Sequence, residues 1–169
     1  NFGSLDNEGN LDNLGFLEND GTLNNAGQLL NDRHLGNHGT LNNGDVANDN
    51  ENVRLTNLGI LFNGGDLRNH GTLDNEGDLD NLGVLENHGT LNNGDEANDN
   101  QNVRLTNHGI LFNEGDLTNH GTLDNEGDLD NFGSLDNEGN LDNLGFLEND
   151  GTLNNAGQLL NDRHLGNHG

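Results

Sequence analysis

Carboxylates that recur at every twelfth position are the side chains of this sequence with the clearest capacity for chemistry. The series comprises Glu114, Glu126, Glu138, Asp150 and Asp162. Carboxylate oxygens are hard ligands of the kind that Ca²⁺ and Mg²⁺ prefer. If two hexapeptides made one coil of the chain, these carboxylates would form a column with a spacing of about 4.8 Å, the separation of neighbouring strands. The interval therefore predicts a Ca²⁺-binding column, and the sequence predicts no other cofactor.

Further acidic residues lie at two places where the sequence loses its regular repeat. They are Asp45, Asp49 and Glu51 at the first place, and Asp95 and Asp99 at the second. Their spacing matches neither an EF-hand loop nor a nonapeptide calcium repeat. In the second copy Gln101 takes the place of Glu51, which removes one carboxylate. Residues 43–50 and 93–100 are therefore interpreted as loop insertions or widened corners.

Residues suited to catalysis are few. The two serines, Ser4 and Ser134, stand at outward positions of the repeat. His108 and His120 are also at outward positions, where they either face solvent or bind a transition metal. A glycosidase needs two carboxylates at one defined separation in a cleft, whereas the acidic residues here are spread along the chain. The sequence therefore predicts a protein that is not an enzyme.

Outside residues 43–50 and 93–100 the chain is built from one hexapeptide, Asn-x-Gly-x-Leu-x. Leucine recurs at every sixth position from Leu5 to Leu41, from Leu55 to Leu91 and from Leu105 to Leu165. Six is even, and strand side chains alternate between two faces, so Asn, Gly and Leu share one face. The repeat predicts an all-β parallel β-solenoid with its leucines inward and its Asn-x-Gly units at the corners. The central part of the predicted core is Leu111, Leu117, Leu123, Leu129 and Leu135.

The number of hexapeptides in a coil is inferred from the outward positions. Acidic residues occupy every second hexapeptide over long stretches and apolar residues the others, which favours two hexapeptides per coil, a 12-residue coil. A flattened solenoid of roughly 12 to 13 coils and about 60 Å would result. Three hexapeptides per coil, an 18-residue coil, is the alternative. The 12-residue coil gathers apolar residues on one face, a feature typical of an interaction surface. The predicted self-association face is Phe132, Leu144, Phe146, Ile110 and Phe112.

Long-range identity shows that the hexapeptides belong to larger repeats. Residues 1–39 recur without change as residues 131–169, and residues 43–92 match 93–142 at most positions. We therefore expect residues 1–169 to form a single array, a window of a longer tandem array with a 130-residue super-repeat. No polar cap is recognisable at either end, and an open strand edge favours the addition of another chain. The predicted partner is the protein itself, by end-on and lateral association.

The composition excludes several other partners. Thirty Asp and Glu against five Lys and Arg give a formal net charge of −25, which disfavours nucleic acid and anionic membrane surfaces. No apolar run is long enough to cross a membrane, so no membrane insertion is expected. Cysteine is absent, which excludes disulfides and thiolate chemistry. A hydrophobic content of 28% is typical of disordered chains, but the leucine register indicates an ordered one.

The strings LDNEGNL at 5–11 and LDNLGFL at 141–147 resemble the repeats of filamentous-haemagglutinin-type bacterial adhesins, which are parallel β-helix surface proteins. The strict six-residue spacing departs from that family. The resemblance implies an extracellular or cell-surface structural protein, and we expect filaments, a matrix or sheath-like fibres.

The alternative is a binding module or adhesin that recognises a repetitive surface such as polysaccharide or ice. Ice-binding solenoids present regular ranks of threonine. Here the outward threonines fall in no single column; they are Thr22, Thr40, Thr72, Thr90, Thr122 and Thr152.

Overall fold

Short strands and tight corners account for the whole of the chain that the computed structural model describes, namely residues 1–45, 47, 52–95 and 102–169. Twenty-five strands of four residues each begin one residue before a leucine and end at an asparagine. The leucine points inward and its two neighbours outward, because side chains alternate along a strand. Asparagine and glycine then turn the chain into the next strand.

The strands form three parallel sheets, which we call sides A, B and C. Side A contains β1 (Ser4–Asn7), β4 (Thr22–Asn25), β7 (Thr40–Asn43), β10 (Asp66–Asn69), β13 (Val84–Asn87), β16 (Ile110–Asn113), β19 (Asp128–Asn131), β22 (Phe146–Asn149) and β25 (His164–Asn167). Side B contains β2 (Asn10–Asn13), β5 (Gln28–Asn31), β8 (Arg54–Asn57), β11 (Thr72–Asn75), β14 (Thr90–Asn93), β17 (Asp116–Asn119), β20 (Ser134–Asn137) and β23 (Thr152–Asn155). Side C contains β3 (Phe16–Asn19), β6 (His34–Asn37), β9 (Ile60–Asn63), β12 (Asp78–Asn81), β15 (Arg104–Asn107), β18 (Thr122–Asn125), β21 (Asn140–Asn143) and β24 (Gln158–Asn161).

One coil takes three strands and therefore three hexapeptides. Each strand pairs with the third strand after it, as in the register of Leu5 with Leu23 and of Thr72 with Thr90. The parallel β-solenoid is confirmed in its three-hexapeptide form, and the favoured 12-residue coil is wrong. The reason is that outward side chains do not contribute to the core, so their alternation does not limit how the chain closes. About eight coils result, and at the usual strand separation the stack is about 40 Å long, shorter than expected.

The core is a column of leucines, one from each side in every coil. Leu111, Leu117, Leu123, Leu129 and Leu135 are fully buried, as are the other leucines of the inner coils. In the first and last coils the leucines are only partly buried, because each has a neighbouring coil on one side alone. The interior of the described coils thus consists of stacked leucines.

The corner glycines are required by space rather than by backbone conformation. A Cβ atom added at Gly127 would overlap the carbonyl oxygen of Gly109 in the preceding coil. Most other corner glycines lie equally close to the carbonyl oxygen of the equivalent residue in their own preceding coil. Among the described residues only Gly44 and Gly94 have positive φ, 89° and 88°. Glycine at the other described corners therefore does not serve a positive φ.

The two insertions leave the order of the sides unchanged. Asn43 and Asn93 still end strands β7 and β14, so each insertion follows its strand at Gly44 or Gly94. Across the insertions the paired residues are 26 apart instead of 18, as in Gln28 with Arg54. No side is flipped. Half of residues 43–50 and most of residues 93–100 lie outside the described residues, as do the acidic residues Asp49, Glu51 and Asp99.

Candidate functional site

Three ladders of asparagine side chains run along the corners, which we name AB, BC and CA after the sides that they join. In each ladder the Nδ2 of one asparagine donates to the Oδ1 of the asparagine in the next coil, at 2.5–2.8 Å. The ladders continue across both insertions. An asparagine ladder is therefore present at all three corners.

Each ladder asparagine also holds the backbone of the adjacent coil. The amide of Asn125 accepts from Asn107 at 2.8 Å, donates to Asn143 at 2.8 Å and donates to the carbonyl of Phe146 at 2.7 Å. These amides are buried in the inner coils, where an unpaired amide would cost about 1–3 kcal/mol. The donor always precedes the acceptor along the axis, so the three ladders share one polarity.

The acidic residues of the predicted calcium column are spread over all three corners. Glu126 and Asp162 lie at corner CA, Glu114 and Asp150 at corner AB, and Glu138 at corner BC. The column depended on the 12-residue coil and does not form with an 18-residue coil. Calcium binding itself stays a prediction.

Three of these carboxylates have a histidine as their neighbour in the preceding coil. His108 Nδ1 is 3.2 Å from Glu126, and His120 Nδ1 is 3.5 Å from Glu138. At corner AB, His88 Nδ1 lies 2.9 Å from Glu114. Every corner thus carries one histidine stacked beneath a glutamate, an arrangement that becomes an ion pair when the histidine is protonated.

A second histidine lies below His88 at corner AB. The rings of His70 and His88 stack with centroids 4.7 Å apart and an interplanar angle of 9°. Burial, and after it the charge of His88, lowers the pKa of His70. His70 is therefore held in its neutral form over a wider pH range than a free histidine.

Two identical clusters combine glutamate, two histidines and phenylalanine. In the first, Glu18 lies 3.2 Å from His34 Nε2 and 3.5 Å from His38 Nε2, and the Phe16 ring contacts His34 at a centroid distance of 5.4 Å. Gly36 has no side chain, and the Glu18 carboxylate occupies the space that a Cβ atom at this position would take.

The second cluster repeats this geometry near the other end of the stack. Glu148 lies 2.5 Å from His164 Nε2 and 3.7 Å from His168 Nε2, and Phe146 contacts His164 at 5.6 Å. The first cluster is on side C and corner CA, whereas the second is on side A and corner AB.

The predicted self-association residues all lie on side A or at its edges. Ile110, Phe112 and Phe146 are on side A, Phe132 is at corner AB and Leu144 at corner CA. The rings of Phe112 and Phe132 stack with centroids 5.6 Å apart.

A carboxylate interrupts this apolar surface. Asp130 lies between Phe112 and Glu148 in its column. Burial raises the pKa of Asp130, and the charges of Asp128, Glu148 and Asp150 raise it further. Asp130 is therefore a carboxylate that is costly to ionise where it stands.

Apolar side chains are not confined to side A. Phe16 and Phe62 are on side C, where Ile60 also lies, and Phe2 is at the corner that joins C to A. Side B is polar, with Leu30 as its large apolar outward residue among the strands described. The single broad apolar face expected from the 12-residue coil is therefore wrong, since apolar residues occupy two of three sides.

Arginine–aspartate pairs mark equivalent places on two sides. Arg54 pairs with Asp74 on side B, and Arg104 pairs with Asp124 on side C. Asp74 also accepts from Asn92 Nδ2 at 2.8 Å. Arg54 and Asp74 line a shallow groove whose other walls are Glu76, Asn92, Gly94, Asp95 and His120. The groove is open and polar, and its Asp74 is already paired with Arg54.

The described residues supply little else that points to binding or catalysis. Ser4 and Ser134 lie in strands β1 and β20 on the outer surface. Within the described ranges, no group of three or more His, Asp or Glu is arranged to hold a metal ion. In the same ranges no helix is long and apolar enough to cross a membrane. The described outward threonines form no rank: Thr22 pairs with Thr40 and Thr72 with Thr90, whereas Thr122 and Thr152 have other residue types as their neighbours.

The histidine–glutamate pairs and clusters were missed in the sequence, although a signal for them exists. Sorting the corner residues by 18, or by 26 across an insertion, places His108, His120 and His88 one coil before Glu126, Glu138 and Glu114. In the two clusters the histidines instead follow their glutamate in the next coil. Comparisons of the chain with protein-family models, with curated proteins and with solved structures find no match in any of the three. The resemblance to filamentous-haemagglutinin-type adhesins therefore stays a prediction.

Proposed function

We propose that the protein is an extracellular structural protein whose three-sided solenoids build filaments, a matrix or sheath-like fibres. The observation that supports this most is the continuity of the stack. Three parallel sheets and three asparagine ladders run through all coils and pass both insertions in the same register. Such a stack has one axis along which it can be extended indefinitely, by further repeats or by another copy.

The chemistry of the surface fits a mechanical role better than a catalytic one. The interior is filled with leucine, and the outward side chains stand in columns rather than around a cleft. Hydrogen bonds along the axis hold the coils together, as they do in other stacked β structures. The protein therefore acts as a rod, and we assign it no reaction.

Lateral packing is the second part of the proposal. Phe146 is 52% exposed and Phe132 49% exposed, and both lie on or beside side A. Only another apolar surface removes such rings from water, at about 25 cal/mol per Å² buried. We propose that copies of the solenoid pack side by side through these residues.

Electron microscopy of the purified chain tests the proposal. We expect filaments wider than one solenoid and a meridional reflection near about 4.8 Å in fibre diffraction. The triple variant Phe132→Ser, Leu144→Ser and Phe146→Ser should give thinner filaments. The substitution Asn140→Ala, at an exposed outward position of side C, is the matched control and should leave filament width unchanged. Discrete particles in place of filaments would overturn the proposal.

A further inference from the structure

Each of the two internal duplications shifts the sequence by a whole number of coils plus one strand. The match of residues 43–92 with 93–142 takes β8 to β15, which is seven strands. The identity of residues 1–39 with 131–169 takes β1 to β20, which is nineteen strands. Because a coil has three strands, each duplication moves its motifs to the next side.

The surface motifs move accordingly. The Arg54–Asp74 pair on side B recurs as Arg104–Asp124 on side C. The cluster around Glu18 on side C recurs around Glu148 on side A. The second shift amounts to six and one-third coils, or about 30 Å along the axis.

We propose that this one-side advance lets each copy of the glutamate–histidine–phenylalanine cluster bind a neighbouring solenoid in a different direction, with a second copy of this chain as the partner. The inference rests on the proposed function. Filaments of this 169-residue chain would then have lateral neighbours on two sides. A longer array with the same offset would have them on all three.

A second copy is the partner that the cluster fits. Each cluster carries a carboxylate and two histidines around an exposed ring, so it offers groups of both signs once the histidines are protonated. Phe16 is 82% exposed, which makes its burial against another ring favourable. The two clusters have the same sequence, so a second copy of the chain presents a matching cluster to each of them.

Insertion of whole hexapeptides tests the role of the offset. Extra copies of residues 120–125 placed after Asn125 move the second cluster by one side per copy. Two copies bring Phe146 onto side C, the side of Phe16. Three copies return it to side A and serve as the control for added length. Melting curves establish that both variants remain folded.

Tomography of the assemblies then counts the lateral neighbours of each filament. We expect bundles with neighbours on two sides for the native chain and for the three-copy variant, and flat ribbons or pairs for the two-copy variant. The same bundles in all three proteins would overturn this inference while leaving the proposed function intact. Absence of assembly in the native chain would overturn the proposed function as well.

Point variants give a second test that does not depend on insertions. Phe16→Ser and Phe146→Ser change exposed residues on different sides, and each should remove one direction of association and give ribbons. The double variant should give single filaments. Bundles that survive the double variant would contradict the assignment of these clusters as lateral contacts.

Discussion

Asparagine at the end of each strand is the residue on which the stack of coils most depends. Its amide is the one buried polar side chain that recurs in every inner coil of the described ranges, and it satisfies both the amide of the next coil and a backbone carbonyl. An aliphatic side chain could fill the same space but could not satisfy these partners. The strict Asn of the repeat is thus a hydrogen-bonding requirement.

Removal of one ladder amide should be expensive. In Asn125→Ala, the Nδ2 of Asn107, the Oδ1 of Asn143 and the Phe146 carbonyl all lose a partner. At about 1–3 kcal/mol for each buried unpaired group, we expect the free energy of unfolding to fall by about 3 kcal/mol or more. Denaturant unfolding measures this change. Asn140→Ala, at an exposed position on the same side, should cost little, and equal losses in the two variants would contradict a special role of the ladder.

Asp130 should make stability depend on pH. Its pKa is raised in the folded protein, chiefly by burial. Stability is therefore lost as the pH rises from the unfolded value near 3.8 through the folded pKa, and the cost is absent at lower pH. We expect Asp130→Asn to raise Tm at neutral pH and to lose that advantage below the unfolded pKa. The same Tm difference at both pH values would show that the carboxylate charge is not the cause.

At the scale of elements, the strand is the unit of this protein and three strands make a coil. Strands of four residues are too short to be stable alone, and each inner strand is held by one strand above and one below. The corner is equally exacting, because the backbones of successive coils approach closely at glycine. Strand register and corner space together determine which residues become neighbours.

Cysteine pairs test the coil period directly, because the chain contains no cysteine of its own. Thr72 and Thr90 are paired in register on side B. Thr72→Cys with Thr90→Cys should form a disulfide on oxidation, since parallel neighbours lie within the Cα separation that a disulfide spans. Thr72→Cys with Val84→Cys is the control, because a 12-residue coil would pair these positions whereas they lie on sides B and A. Cross-linking of the control in place of the first pair would restore the 12-residue coil.

Val53 and Val103 each follow an insertion, and we expect the valine side chain to fit less well at a corner of ordinary length. They occupy the place where the other corners have glycine, apart from those of Arg33 and Arg163, and both valines are buried. Deletion of residues 45–52 restores the six-residue frame. We expect the deletion to keep the fold when combined with Val53→Gly and to lower Tm markedly when Val53 is kept. Equal Tm values for the two proteins would refute the steric role of corner glycine.

The inward half of this fold could be predicted from the sequence, whereas the coil could not. The leucine register identifies strands because period two is a property of the strand itself. Coil closure is different, since a six-residue leucine period is compatible with two or with three sides and outward residues such as Glu126 do not pack in the core. The histidine beneath Glu126 could therefore be found only after the 18-residue period was known.

At the scale of the whole molecule, a chain with a formal net charge of −25 is ordered by repetition rather than by a large core. Every coil adds the same three leucines, three asparagine bonds and three strand pairings, so the stabilising terms grow with length as in other solenoids. Acidic side chains point outward, where histidine and arginine partners and solvent reduce their repulsion. The result is a rod whose sides differ in chemistry but share one scaffold.

Cryo-electron microscopy of the assembled chain tests the central claim, that three-sided solenoids form the filaments. A reconstruction should show triangular units in cross-section, with leucine at the centre of each triangle and asparagine at its corners. The rise between coils should be about 4.8 Å. Filaments built from flattened two-sided units, or preparations that contain only separate particles, would contradict the account.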